Sequence, residues 1–115
     1  MGMQYLSHHA LLFTLPREPH LGNELEIAIR MTSPNATRDI IVDFSLVEIM
    51  ASGTLSELMI LERQLSDSDR RLVLCSVPRR IRSLFTQVGL GGLFQFAEDQ
   101  LAALQSFEPS RSAYK

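Results

Sequence analysis

Ser52, Thr54 and Ser56 bring three hydroxyls to the point where an apolar run gives way to a helical pattern, and Glu57 follows Thr54 at the S/T-x-x-E spacing. In a capping box of this kind the hydroxyl accepts a backbone N–H of the first helical turn, while the carboxylate reaches back to the N–H of the cap. The chemistry within reach is hydrogen bonding around the unpaired N–H groups of a helix start, where Ser52 caps or precedes the helix. Ser56 falls on the solvated side. Other groups offer less. His8 and His9 are adjacent and diverge on a strand, His20 is isolated, and no Cys, Asp or Glu keeps metal-ligand spacing with them, so no metal is expected. Gly89-Leu-Gly-Gly92 leaves a helix and enters a strand, the reverse of a phosphate loop, and reads as a turn. Cys75 is the single cysteine; inside Leu72-Val-Leu-Cys75 it is a small core residue of a reducing compartment. No Ser-His-Asp or Cys-His arrangement can be built, so the chain is read as a non-enzyme without a cofactor.

The bounds agree with a binding module. A chain of 115 residues suits one domain with a self-sufficient core. Hydrophobic content of 45%, charged content of 21% and a net charge of −2 give no electrostatic case for nucleic acid or an acidic membrane, which leaves proteins as partners. The arginines at 70, 71, 79, 80 and 82 are read as a solvated face. The first sixteen residues lack Lys, Arg, Asp and Glu, but without a basic n-region they make no signal peptide. No stretch is long and apolar enough for a membrane span, so the expected location is cytoplasmic. Met1-Gly2 resembles a myristoylation start but has Leu6 where Ser or Thr belongs. Asn35-Ala-Thr37 fits a glycosylation sequon and is read as a polar loop.

The elements that must hold the hydroxyl cluster follow from periodicity. Ile40, Ile41, Val42 and Phe44 predict a central strand buried on both faces. Leu55, Leu58, Met59, Leu61 and Leu65 form the apolar stripe of a helix over 52–65, with Ser52-Gly53 as the reversal before it. Met3–Leu6 and Ala10–Leu15 read as two short strands joined near His8-His9. Between Pro19 and Thr32, Leu25, Ile27, Ile29 and Met31 alternate as in a strand, whereas Gly22-Asn23 with Glu24 and Glu26 resembles a capped helix start. Residues 33–37 and 66–69 are loops, and Arg71–Ser76 is a second buried strand. Pro78 opens a helix carrying Ile81, Leu84, Phe85 and Val88, which Gly89 ends. Leu93–Phe96 reads as a strand and Glu98–Leu104, with Leu101 and Leu104, as a last helix. Residues 1–107 form a single domain and 108–115 a flexible tail. The alternation predicts an α/β fold whose later strands run parallel through right-handed crossovers.

Asp43-Phe-Ser45, Ser52-Gly53, Leu72-Val-Leu74, Val77, Ile81, Leu84-Phe85, Gly89-Leu90 and Leu93-Phe94 occur in an order and spacing that resembles the STAS family, named for sulphate transporters and anti-sigma factor antagonists. The resemblance covers Ile40 to Leu104, and residues 1–37 match only loosely. It implies a mixed β-sheet of about four to five strands with about four flanking helices, one of them over Leu21–Thr32. In anti-sigma factor antagonists of the family, the second Ser of an Asp-Ser-Ser-Gly turn is phosphorylated by a kinase that is also the anti-sigma factor, and Ser52 stands at that position. A phosphate there meets the N–H groups and positive dipole end of a helix, and its charge repels a docked acidic partner. The resemblance implies that Glu48, Met50, Ala51, Ser52, Gly53, Thr54, Ser56 and Glu57 bind the partner, an anti-sigma factor/serine kinase or other signalling protein. Met50 stands where the family commonly has Asp and Ala51 where it often has Ser. A second implied role is that of an unswitched STAS adaptor subunit of a transporter ATPase or signalling assembly. Monomer and homodimer both stay open.

Overall fold

The computed structural model describes residues 2–6, 9–17 and 20–107. The expectations placed on Met1, His8 and the 108–115 tail lie outside the described residues. Among those described, the order is β1 (Gly2–Tyr5), β2 (Ala10–Thr14), α1 (Leu21–Met31), β3 (Asp39–Asp43), α2 (Ser52–Asp67), β4 (Leu72–Cys75), α3 (Arg79–Gln87), β5 (Gln95–Ala97) and α4 (Gln100–Phe107). The five strands lie in one sheet in chain order, β1 antiparallel to β2 and every later pair parallel. This is the mixed α/β sheet with four helices that the sequence predicts.

Period-two geometry divides the strands between two cores. Leu11, Phe13, Ile40, Val42, Leu72 and Leu74 point to a face covered by Leu21, Leu25 and Ala28 of α1, Leu58, Leu61 and Leu65 of α2, and Ile81 and Phe85 of α3. Leu12, Ile41, Val73 and Cys75 point to the other, where Ala103 of α4 seals them. Adjacent strands joined by helices on one shared face are what crossovers of a single hand produce.

Leu21–Met31 is helical, so the alternation of Leu25, Ile27, Ile29 and Met31 is not that of a strand. Leu25 is buried while Ile27 and Met31 are exposed, and the buried set Leu21, Leu25, Ala28 follows the helical period. Thr32, the C-cap of α1, sets its hydroxyl 2.6 Å from Gln64 Oε1 of α2 and ties the two helices together. Several boundaries differ from expectation, and α2 runs on through Ser66 and Asp67, which the sequence assigns to a loop. Pro78 is the N-cap of α3 instead of its first turn, and Val88, the C-cap, is exposed. β5 is only three residues long and begins after Leu93, which lies exposed in the preceding turn. α4 starts at Gln100 because Asp99 Oδ1 accepts the Ala102 N–H at 2.8 Å, and its Leu101 faces outward.

Gly89 (φ +81) closes α3, with the Leu90 N–H reaching the Phe85 carbonyl at 2.8 Å and its own N–H reaching Thr86. That bond pair is a Schellman end, which needs a left-handed residue where glycine sits. The aromatic centre of the larger core is Phe85, packed edge-on against Phe44, Phe94 and Phe96 at centroid distances of 6.4, 5.4 and 5.5 Å.

Candidate functional site

β3 stops at Asp43 because its carboxylate turns the chain. Asp43 Oδ1 accepts the Ser45 N–H at 2.7 Å, an Asx-type turn, and the Val47 N–H then bonds to the Phe44 carbonyl at 2.9 Å. The apolar run therefore continues past the strand as a loop, with Phe44 and Val47 buried beneath it and Leu46 and Ile49 outside. Reversal is complete by Ala51, which is extended (φ −73°, ψ 154°) and caps α2 without a side-chain hydrogen bond.

Ser52 is consequently the first residue of a 16-residue helix, with Gly53 second and Thr54 third. Thr54 is not the cap: it is buried, and its N–H bonds to the Ala51 carbonyl at 3.0 Å. Glu57 lies half-buried beside α1, where a Cβ on Gly22 would stand 3.6 Å from its Oε1. The expected Thr54–Glu57 capping box is replaced by a helix that starts three residues earlier, capped at Ala51, and Thr54 falls on the face that Leu58, Leu61 and Leu65 bury. Ser52, Gly53 and Ser56 are exposed together. Met50 is half-buried and packs against the larger core. Glu48 is exposed and pairs with Arg17 at 3.7 Å, an exposed bridge of little energetic weight.

Of the predicted residues, the fold presents Glu48, Ala51, Ser52, Gly53 and Ser56 on the surface and turns Thr54 inward, with Met50 and Glu57 between. Sequence reasoning missed Ile49, which is 72% exposed, and Leu46, which is 43% exposed. Both sit in the apolar run that marks the strand, so their signal merged with that of β3. The first turn of α2 carries no acidic residue, so the positive end of its dipole lies beside the exposed Ser52 without a carboxylate in that turn. Gly53 has no positive φ, and a Cβ placed there would meet no atom within 4 Å, so nothing in the folded chain requires glycine.

A five-stranded mixed sheet flanked by four helices is the architecture of a STAS-type domain. The family model described as "Mlab, STAS domain" matches residues 22–96, and the chain belongs to the STAS domain family. Solved structures share the fold. An anti-sigma factor antagonist (STAS) domain protein from Planctomyces limnophilus superposes with a TM-score of 0.77 at 13% identity, covering 92% of this chain and 97% of that one. The anti-sigma factor antagonist SpoIIAA in its unphosphorylated form gives 0.71 at 16% identity over 91% and 94% of the two chains. The Bacillus cell fate determinant SpoIIAA in its phosphorylated form gives 0.70 at 17% identity over 91% and 97%. No curated protein matches the chain by sequence. Among the described residues, no helix is long and apolar enough to cross a membrane.

Proposed function

We propose that the chain is a regulatory protein-binding domain of the anti-sigma factor antagonist type, acting by binding and not by catalysis. It docks an anti-sigma factor that is also a serine kinase through the Ser52 turn and the first turns of α2, in the cytoplasm where ATP is available. The observation that carries this reading is the exposed Ser52 hydroxyl at the first position of α2, with no acid in that turn and no side-chain cap. A phosphate of roughly −1.5 to −2 charge is stabilised at such a helix start, yet it places that charge in the middle of a docking surface, where it opposes an acidic partner. SpoIIAA, which shares the fold, has been solved in unphosphorylated and phosphorylated forms, which is in keeping with control by a phosphate.

A second reading, an unswitched adaptor subunit of a transporter ATPase or signalling assembly, is favoured by Met50 and Ala51. Met50 packs on the core and Ala51 has no hydroxyl, so neither supplies a polar neighbour to Ser52. The two readings separate when host lysate is incubated with the pure chain and ATP and the chain is run on a phosphate-affinity gel. The switch predicts a shifted band that Ser52→Ala abolishes and a partner released as the band appears. The adaptor predicts no phosphate on Ser52 and a co-purified partner indifferent to ATP.

A further inference from the structure

The arginines that sequence pattern assigns to one solvated face divide in the structure. Arg71 donates through Nη1 to the Ser106 carbonyl at 2.7 Å, and Arg82 stacks over the Phe96 ring at 3.8 Å. Those two are engaged with α4 and β5. Arg79 and Arg80 are exposed, and among the described residues neither forms an ion pair. With Ser45, Val47, Glu48 and Pro78 they line a cleft of about 410 Å³ between the start of α3 and the β3–α2 loop.

The same loop exposes Leu46 and Ile49, the latter more exposed than any other large apolar side chain described. Because β2, β3 and β4 are neighbours in that order, the loop sits centrally, with Arg17 beyond β2 on one side and Arg79 and Arg80 beyond β4 on the other. Glu48, the acid of the cleft, is already answered by Arg17. Two exposed apolar side chains and two cations without an ion pair among the described residues thus lie at the end of the sheet where β3 and β4 finish, in a chain whose net charge is −2.

That distribution has the anatomy of a protein interface, with an apolar core and arginine at its margin. A nucleic acid would gain from Arg79 and Arg80 but would leave Leu46 and Ile49 against a charged backbone. We propose that Leu46, Ile49, Arg79 and Arg80 dock a protein surface on which acidic side chains surround an apolar socket. Ile49 enters the socket, and the guanidinium forks of Arg79 and Arg80 meet carboxylates at its edge. This rests on the chain being a protein-binding regulator, and it extends the docking surface from the Ser52 turn across to α3. It also gives a reason for phosphate on Ser52 to release the partner, since negative charge is then added to a surface that selects for it in the other chain.

The test titrates the isotope-labelled full chain with an amphipathic helical Leu/Glu peptide, a Leu/Lys peptide of equal length and a single-stranded oligonucleotide, read by amide chemical shifts. The Leu/Glu peptide is expected to shift Leu46, Ile49, Arg79 and Arg80, and its affinity to fall at least about tenfold in an Arg79→Glu/Arg80→Glu variant and in Ile49→Asp. These side chains are exposed, so both variants keep the wild-type melting midpoint. Equal binding of the Leu/Lys peptide, tighter binding of the oligonucleotide, no binding by any probe, shifts elsewhere, or unchanged affinity in the variants would overturn the proposal. Ser52 is intact throughout, so this outcome is independent of whether the native partner responds to Ser52 phosphorylation.

Discussion

Asp43, the last residue of β3, accepts a hydrogen bond through Oδ2 from the side-chain amide of Gln100, 57 residues further along the chain at the start of α4. Through Oδ1 the same buried carboxylate accepts the Ser45 N–H. One acid therefore ends the central strand, shapes the start of the β3–α2 loop and anchors the helix of the opposite face. Asp43→Ala leaves both donors without their acceptor and is expected to cost about 2–4 kcal/mol in denaturant unfolding. Gln100→Ala, which leaves the Ser45 bond intact, should cost about 1 kcal/mol. Equal losses in the two variants would show that the Ser45 turn contributes nothing.

The larger core makes a second expectation. Leu58 and Phe85 are fully buried, and Phe85 is the ring that joins Phe44, Phe94 and Phe96. Leu58→Asp or Phe85→Asp places an unpaired carboxylate there and should destabilise by more than ~3 kcal/mol. Phe85→Ala, which leaves a cavity, should cost about 3–5 kcal/mol. A near-wild-type thermal midpoint in these variants would mean the helix faces are assigned wrongly.

At the start of α2, stability and binding should move in opposite directions. Ser52→Asp adds a carboxylate to a first turn that has none and should hold or slightly raise the melting midpoint while weakening partner binding. Ser52→Ala should bind and accept no phosphate. Gly53→Ala fills open space in a helical position and should stabilise by about 0.5–1 kcal/mol. If partner binding falls in Gly53→Ala while stability rises, the glycine serves the approach of the partner. A destabilised Gly53→Ala would instead give glycine a role in the folded chain itself.

Alkaline pH tests the smaller core. Burial, and then the carboxylate of Asp43, push the Cys75 thiol up from 9.0 to about 12. Folding thus favours the protonated thiol, and that contribution is complete below about pH 9 and lost as pH rises toward 12. Denaturant unfolding between about pH 8 and pH 11 should show stability falling in wild type, and falling less steeply in Cys75→Ala. Superimposed slopes would remove Cys75 from the alkaline response.

Much of this was legible in the sequence, for reasons that also mark where it was not. Ile40–Val42 and Leu72–Cys75 read clearly because strands covered on both faces must be continuously apolar. α2 read clearly because Leu58, Leu61 and Leu65 repeat at helical spacing over about two turns of chain. Ile27 and Met31 obscured α1, since apolar residues left at the surface mimic alternation. The capping motif at Thr54 was locally sound but lost to burial of that threonine, a tertiary effect with no local signature. Ile49 was hidden by its neighbours: an apolar side chain left at the surface looks, in sequence, like one kept for the core.

The placement of α4 has a consequence for biosynthesis. β1 to β5 are adjacent in the order they leave the ribosome, and α1 to α3 can settle on their face as each unit emerges. The opposite face, with Leu12, Ile41 and Val73, is sealed only when the last helix arrives and Gln100 reaches Asp43. Until then the nascent chain presents a bare sheet to its surroundings, the kind of surface that chaperones hold and neighbouring chains adhere to. A premature stop before α4 would therefore produce an aggregation-prone product rather than a slightly shortened domain, and translation errors in those final turns fall first on solubility.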